Sequence, residues 1–498
     1  MVYALFASVF VIAGCGLAYE LIAGALASYL LGDSVLEFST VIGVYLFAMG
    51  AGSYLSRHIG KNLIQRFIEI ELAVGVLGGF STSIMLLAYA HSLPFRFVLY
   101  GLVFLLGMLV GLEIPLLIRI LKNQMDLRHL VSQVLTLDYI GALVVSVLFP
   151  LYFVTKLGLV RSALVFGLAN VGIALIALWL FRSWIGARTY LRGLATVSAI
   201  LLGAGWLTAD ALYAYSEERL YNDEIVLAKS TRYQRIVLTR WKDDLRLFLN
   251  SQLQFSSRDE YRYHEALIHP ALGAVARPKD VLVLGGGDGL AVREILRDQR
   301  VERVTLVDLD PEMTSLFSRH QELVRLNGGA LSSSRAHVVN GDAFVWLDAS
   351  SQTFDFIVAD FPDPGNYSLG KLYTTAFYRL VNRHLNRGGL LVVQATSPLF
   401  ARRSFWCIDK TMKEAGFVTT PMHVYVPSFG EWGFVVGGRA PFRSPTRLPS
   451  GLRFLTPEIL PSLFQFSADM DAVPVEPNRL NNQILVRYYQ EEWAKVGE

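Results

Sequence analysis

Three short segments carry an aspartate, two of them next to glycine, in patterns that suit nucleoside binding. Residues 285–289 read GGGDG, and a turn at Gly285 and Gly287 would let a ligand approach the backbone closely. Asp308 follows about 20 residues later, where an acid commonly accepts the two hydroxyls of a ribose. Asp342 is suited to receive an adenine amino group. Together they predict a nucleoside site, and the alternative is that each aspartate is a turn or helix-cap residue.

The predicted site lacks the usual features of phosphate binding. The spacing G-x-x-x-x-G-K-[ST] does not occur, and three acids lie where a pyrophosphate would need donors. The predicted ligand is therefore a nucleoside without phosphates, such as an adenosyl sulfonium. Asp288, inside the glycine turn, would attract an ammonium at the tail of that sulfonium. The tail of decarboxylated S-adenosylmethionine carries that ammonium and no carboxylate.

An alternating strand and helix pattern must position these residues. Apolar strands are predicted within VLVLGGGDG (281–289), VTLVDLD (304–310), AHVVNGDAF (336–344), FDFIVADFPDP (354–364) and GGLLVVQATSP (388–398). Such a pattern indicates a doubly wound parallel sheet, which binds ligands at the carboxyl ends of its strands. We therefore predict a Rossmann-like α/β domain of the methyltransferase type at 280–498. Alternating residues and a Lys242-Asp243-Asp244 turn predict a small β-hairpin subdomain before it, at 215–279.

Residues 216–440 resemble the spermidine synthases, which are polyamine aminopropyltransferases. Motifs in the family's order and at similar spacing carry the resemblance: Gln254, Arg258-Asp259-Glu260, Tyr263-His264-Glu265, the GGGDG turn, Asp308, Gly341-Asp342, Asp360-Phe361-Pro362-Asp363-Pro364, Leu372-Tyr373, Gln394 and Gly433-Phe434. The segment GCGLAYELIAGALASYLLGDS at 14–34 resembles the membrane-integrated branch of that family. The resemblance implies that an aminopropyl group moves from decarboxylated S-adenosylmethionine to putrescine or a related diamine, which gives spermidine and methylthioadenosine. It further implies a homodimer or larger homo-oligomer, with no metal and no permanently bound cofactor.

The resemblance also assigns roles to individual residues. Asp360 matches the family's catalytic acid/base, which takes a proton from the attacking amine. Asp363 matches a second acid that binds the dication, Tyr263 matches a tyrosine that orients the nucleophile, and His264 lies beside the site. Two glutamines match residues that contact the thioadenosine product: Gln234 and Gln254.

The acceptor side departs from the soluble enzymes. Thr396 stands where an acid is expected near the distal amine of the acceptor, and Phe429 takes the place of a tyrosine. Phe361-Pro362 replaces a pair of small hydroxyl residues between the two acids. The acceptor can therefore differ from putrescine even where the reaction type is kept.

The first 214 residues have the composition of a membrane domain. The whole chain is 53% hydrophobic and 17% charged with a mean hydropathy of +0.40, and residues 1–214 hold only 12 basic and 9 acidic residues. We predict a multi-pass α-helical membrane domain at 1–214, in the inner membrane of the cell and in contact with the lipid bilayer. Seven spans are predicted, near 4–31, 36–56, 67–90, 97–121, 134–155, 160–181 and 190–209.

Charge bears on partners and on orientation. Residues 215–498 carry 33 basic and 33 acidic residues, so this half offers no basic surface for nucleic acid. Nine basic residues in alternate short links, against three in the others, favour a cytoplasmic N-terminus. With the N-terminus in the cytoplasm, seven crossings would place the catalytic domain on the outer face of the membrane. Decarboxylated S-adenosylmethionine is made in the cytoplasm, however, which favours a catalytic domain on the cytoplasmic side.

Two other functions stay open from the sequence. An S-adenosylmethionine-dependent methyltransferase shares the fold, the glycine turn and the ribose acid, although paired acids at the acceptor site are unusual in such enzymes. A polyamine-binding or transport protein without turnover is the third hypothesis. Four acids lie within the apolar runs and could line a polar cavity or path for a cationic ligand: Glu20, Glu71, Glu113 and Asp138. The alternative is that they form hydrogen bonds between helices or lie near a membrane interface.

Overall fold

The computed structural model describes residues 2–31, 35–91, 93–122, 126–221, 223–445 and 447–496. Residues 32–34, the end of the segment 14–34, lie outside the described residues. The chain divides into two compact units, Met1–Arg232 and Tyr233–Glu498. Each unit has its own architecture and is described by itself.

The first unit consists mainly of long helices, as its apolar composition predicts. The helices are α1 (Val2–Leu31), α2 (Val35–Leu55), α3 (Leu63–Ala90), α4 (Phe95–Leu121), α5 (Leu127–Leu148), α6 (Gly158–Leu180) and α7 (Arg188–Tyr221). A π-helix at Phe149–Leu157 joins α5 to α6, and one strand, β1 (Glu224–Ser230), follows α7.

Six helical runs among the described residues are long and apolar enough to cross a membrane, whereas seven spans were predicted. The predicted spans at 134–155 and 160–181 form one continuous run, Leu127–Leu180. The π-helix around Lys156 leads directly into α6, but Gly158 has a non-helical φ and ψ of 74° and 172°, and the rings of Phe153 and Phe166 lie 4.7 Å apart. The chain therefore folds back at this point, and α5 and α6 remain two separate apolar helices. Helix α7 also continues beyond the predicted end near 209, because its polar residues extend the helix past the apolar segment.

Small residues let two of these helices touch backbone to backbone. A Cβ atom added to Gly52 of α2 would lie 2.0 Å from the carbonyl oxygen of Met108 on α4. A Cβ atom added to Gly111 of α4 would lie 2.1 Å from the carbonyl oxygen of Met49 on α2. Only glycine fits at either position, which is the packing that glycine-rich apolar helices favour.

A buried acid links three helices of the first unit. Glu71 of α3 is completely buried, and its carboxylate accepts a hydrogen bond from the Asn170 amide of α6 at 3.1 Å. The Asn170 carbonyl oxygen in turn accepts from the Tyr19 hydroxyl of α1 at 3.3 Å. These contacts agree with the interpretation of Glu71 as a hydrogen-bonding residue between helices.

The second unit is built on a seven-stranded sheet in the order β10-β11-β9-β8-β5-β6-β7. The strands are β5 (Asp280–Gly285), β6 (Arg303–Asp308), β7 (Ala336–Asn340), β8 (Phe354–Asp360), β9 (Leu385–Gln394), β10 (Val418–Val426) and β11 (Gly430–Gly438). The helices are α8 (Glu260–Ala274), α9 (Leu290–Leu296), α10 (Pro311–Arg319), α11 (Gln321–Leu326), α12 (Ala343–Ala349), α13 (Tyr367–Gly370), α14 (Thr375–Arg383), α15 (Arg402–Glu414) and α16 (Ile484–Trp493). Strands β5 to β9 are parallel, as their apolar pattern predicts.

The sheet is mixed at one edge, which the purely parallel prediction missed. Strands β10 and β11 pair antiparallel with each other, and β11 pairs antiparallel with β9. Only residues 427–429 separate β10 from β11, and a parallel pair would need a crossover of a dozen or more residues. The short connection therefore dictates an antiparallel edge.

Three further strands form an antiparallel meander before α8. They are β2 (Arg235–Trp241), β3 (Asp244–Leu249) and β4 (Gln252–Ser256). The turn between β2 and β3 contains two residues, because Asp244 already pairs with Trp241. This meander brings Gln234, at its start, to the large sheet.

Candidate active site

The glycine turn and two of the acids lie together at the carboxyl ends of neighbouring strands. Gly285 is the last residue of β5 and is paired with Asp360, the last residue of β8. Asp308 ends β6 on the other side of β5, and its carboxylate accepts the Gly287 backbone N–H at 3.0 Å. The parallel register thus places Asp308 and Asp360 on either side of the turn.

The turn requires glycine at several positions. Gly285, Gly286 and Gly289 adopt left-handed φ angles of 78°, 64° and 76°. A Cβ atom at Gly285 would lie 2.2 Å from the carbonyl oxygen of Asp360, and one at Gly287 would lie 2.6 Å from the Asp308 carboxylate. The backbone of the turn is therefore packed directly against the two acids.

A second acid lies beside Asp308. The Asp310 backbone N–H donates to the Asp308 carboxylate at 2.9 Å, and the Gln234 side-chain amide donates to the Asp310 carboxylate at 3.0 Å. Asp310 was not among the predicted site residues, although its position two residues after Asp308 could have identified it. Gln254, predicted for the same side, is half-buried and donates to the Gln252 carbonyl oxygen of its own strand.

Asp342 lies at the start of α12 and has two kinds of partner. One carboxylate oxygen accepts the backbone N–H groups of Phe344 and Val345, which caps the helix. The other accepts from the Lys371 ammonium at 2.6 Å. Burial raises the pKa of Asp342, but Lys371 outweighs burial and holds it below its ordinary value. An adenine amino group at Asp342, which stays a prediction, would have to share the carboxylate with Lys371.

A charged network stands behind the glycine turn. The His264 ring lies 2.9 Å from the Glu260 carboxylate, which also accepts two hydrogen bonds from Arg293, at 2.9 and 2.8 Å. Burial lowers the pKa of His264, but the hydrogen bond and charge of Glu260 raise it above its ordinary value. Burial raises the pKa of Asp288, which the charge of His264 partly offsets. The charges of Asp288 and Asp360 also raise the pKa of His264.

Asp360 is a half-buried carboxylate held by a tyrosine. The Tyr263 hydroxyl donates to Asp360 Oδ1 at 2.6 Å, and the Tyr263 ring packs edge-on against Phe434 with ring centroids 5.0 Å apart. Burial raises the pKa of Asp360 to about 6, against the opposing effect of His264. A carboxylate with a pKa near the working pH is suited to accept a proton from an incoming amine.

We expect kcat/KM to rise with pH through about 6, because the raised pKa of Asp360 leaves it protonated below that value and ionised above it. Only the ionised form can accept the proton of the nucleophile. A profile between about pH 5 and 8, followed by product release at saturating donor, measures this limb. A rate independent of pH from about 5 to 7 would remove Asp360 from the base role.

Asp363 lies one short turn from Asp360 and is held by three neutral donors. Its Oδ1 accepts from the Gln394 amide at 2.8 Å, and its Oδ2 accepts from the Thr396 hydroxyl at 3.2 Å and from the Tyr489 hydroxyl at 3.0 Å. Burial raises the pKa of Asp363 to about 6, against the lowering effect of these hydrogen bonds. Sequence reasoning missed Tyr489, which lies far along the chain from every motif.

Two other acids near the family motifs face elsewhere. The Glu265 carboxylate accepts the backbone N–H groups of residues 453–455. The Glu431 carboxylate lies 2.9 Å from the ring of His423. Asp360 and Asp363 are thus the acids gathered around Tyr263 and Gln394.

Comparisons of the sequence with known proteins agree on one family. Residues 260–441 match the spermine/spermidine synthase domain. The chain is 55% identical to a polyamine aminopropyltransferase of Leptospira interrogans over 99% of each chain, and 56% identical to polyamine aminopropyltransferase 2 of Ralstonia nicotianae over 98% of each chain. A crystal structure of spermidine synthase in complex with the transition state analogue AdoDATO aligns with a TM-score of 0.46 at 22% identity, over 49% of this chain and 86% of that chain. Because the similarity to the curated relatives runs along nearly its whole length, the chain belongs to the polyamine aminopropyltransferase family.

Proposed function

We propose that the enzyme transfers the aminopropyl group of decarboxylated S-adenosylmethionine to a diamine such as putrescine. The observation that carries the proposal is the position of the half-buried Asp360 carboxylate beside the glycine turn, at the end of the neighbouring strand. A donor seated on that turn would place its reacting carbon near Asp360. The acceptor amine would lose its proton to Asp360 as it forms the new C–N bond and the thioether leaves.

The remaining acids take complementary roles in this proposal. Asp308 would accept the ribose hydroxyls, and Asp288 would bind the ammonium of the donor tail, because both lie at the turn. Asp363 would bind the distal ammonium of the diamine, and Tyr263 would orient the attacking nitrogen through its contact with Asp360.

One assay distinguishes this function from the two alternatives. The purified protein is incubated with decarboxylated or ordinary S-adenosylmethionine and a panel of amines, and the nucleoside product is identified. We expect methylthioadenosine from the decarboxylated donor with a diamine. S-adenosylhomocysteine from the ordinary donor would indicate a methyltransferase. Binding of amines without either product would indicate a binding or transport protein.

We also propose that α1–α7 anchor the enzyme in the inner membrane with the catalytic unit in the cytoplasm. The six long apolar helices support the anchoring, with mean hydropathies of 1.4 to 2.4. The cytoplasmic placement rests on the donor, which is made in the cytoplasm. A reporter fused to the C-terminus tests the side. Activity of a reporter that works only in the periplasm would contradict this placement.

A further inference from the structure

The segment after β11 lies beyond the residues that match the family domain, and it is built into the catalytic unit. The family match ends at residue 441, whereas the described chain continues to 496. Asn478 in this segment is completely buried. Its side-chain amide donates to the carbonyl oxygens of Gly370 and Tyr373 at 3.0 and 3.2 Å. The segment is therefore fixed beside the acceptor half of the site.

Helix α16, near the end of this segment, is hydrogen-bonded to two neighbouring parts of the catalytic unit. The Glu492 carboxylate accepts the backbone N–H groups of Arg403 and Ser404, and so caps the first turn of α15. The Gln490 amide donates to the Gly365 carbonyl oxygen at 2.9 Å. A Cβ atom at Gly370 would lie 2.5 Å from Val486 Cγ2, so α16 packs closely on the end of α13.

This placement aims one side chain of α16 at the site. Tyr489 is only 9% exposed, and its hydroxyl donates to Asp363 Oδ2 at 3.0 Å. Its ring lies 5.9 Å from the ring of Trp493, which lies 6.2 Å from the ring of Phe400. The Tyr489 ring thus packs against Trp493, and its hydroxyl contacts the acid.

The contacts of Asp363 leave its charge available. A carboxylate can accept about four hydrogen bonds, and Gln394, Thr396 and Tyr489 supply three. All three donors are neutral, and no salt bridge involves Asp363 within the described part of the chain. Neutral donors orient a carboxylate and stabilise its ionised form without cancelling its charge. The remaining acceptor direction suits a cation.

We propose that Tyr489 is a specificity-determining positioning residue, which holds Asp363 in the orientation that binds the distal ammonium of a diamine. This inference rests on the proposed aminopropyl transfer. It assigns part of the acceptor selection to a helix outside the family domain. Thr396, which stands in place of an acid, then acts as a second neutral donor to the same oxygen.

The test compares Tyr489→Phe with wild type on two acceptors of equal length, putrescine and n-butylamine, which lacks the second amine. Loss of a hydrogen bond to a charged group should lower kcat/KM for putrescine by about 10- to 100-fold. The effect should lie in the KM of the diamine, with the KM of the donor unchanged. The preference for putrescine over n-butylamine should fall by the same factor. Tyr488→Phe on the same helix, where the ring packs against Arg403, is the matched control.

Asp363→Asn supplies the second measurement. If Tyr489 acts through the Asp363 charge, adding Tyr489→Phe to this variant should change the diamine preference little further. The inference is overturned if the wild-type enzyme is active but Tyr489→Phe keeps the wild-type preference for putrescine over n-butylamine. An equal loss of kcat/KM for both amines would overturn it as well. Wild-type protein that forms no methylthioadenosine with any amine would overturn the proposed function, and this inference with it.

Discussion

Asp360→Asn is expected to lower kcat by about 10²- to 10⁴-fold and to leave donor affinity nearly unchanged. Asparagine has nearly the shape of aspartate, so it can still accept the Tyr263 hydrogen bond, but it cannot take a proton from the attacking amine. The donor contacts predicted at Asp308 and the glycine turn are not altered. Methylthioadenosine release at saturating substrates measures kcat, and calorimetric titration measures the donor Kd.

Asp348→Asn is the matched control for this prediction. Asp348 lies exposed on α12, so the same chemical change there should leave both quantities at the wild-type level. Turnover of Asp360→Asn within a few-fold of wild type would show that another group accepts the proton.

Asp308→Ala is expected to weaken donor binding by about 10²-fold while kcat at saturating donor is largely kept. The proposed ribose contacts are equal in the ground state and the transition state, so their loss raises the donor KM. Asp308 also accepts the backbone N–H groups of Gly287 and Asp310, so its removal loosens the turn on which the donor sits. Initial rates over a range of donor concentrations give both constants.

Asp308→Asn separates the two contributions in that prediction. Asparagine keeps one carbonyl oxygen for the turn but loses the charge and the second acceptor. We expect its donor KM to lie between those of wild type and Asp308→Ala. A fall in kcat with an unchanged donor KM would contradict the ribose assignment.

The central strands and their acids could be predicted because the information is local. Apolar runs that end in Gly285, Asp308 and Asp360 indicate parallel strands, and parallel strands share one carboxyl edge. That rule alone brings the turn and the two acids together. The antiparallel edge of β10 and β11 follows from a connection of only three residues. The prediction of a parallel sheet rested on the apolar strand pattern alone and did not take the length of this connection into account.

Other features depend on contacts between distant residues. Tyr489 is separated from Asp363 by 126 residues, and no spacing rule links a tyrosine in a C-terminal helix to an acid after a strand. Lys371 pairs with Asp342 across 29 residues, although its position directly before Leu372-Tyr373 could have drawn attention to it. The left-handed φ of 57° at Thr396 is likewise set by tertiary packing.

The separation of Tyr489 from Asp363 has a consequence for synthesis on the ribosome. At about 5–20 residues per second, the 126 residues between them take roughly 6 to 25 s to translate. By the end of that interval the strands that carry the donor turn and Asp360 have emerged, whereas the helix that orients Asp363 has not. The nascent enzyme would thus acquire its donor half first, and it would become selective for its acceptor only when α16 leaves the exit tunnel and docks.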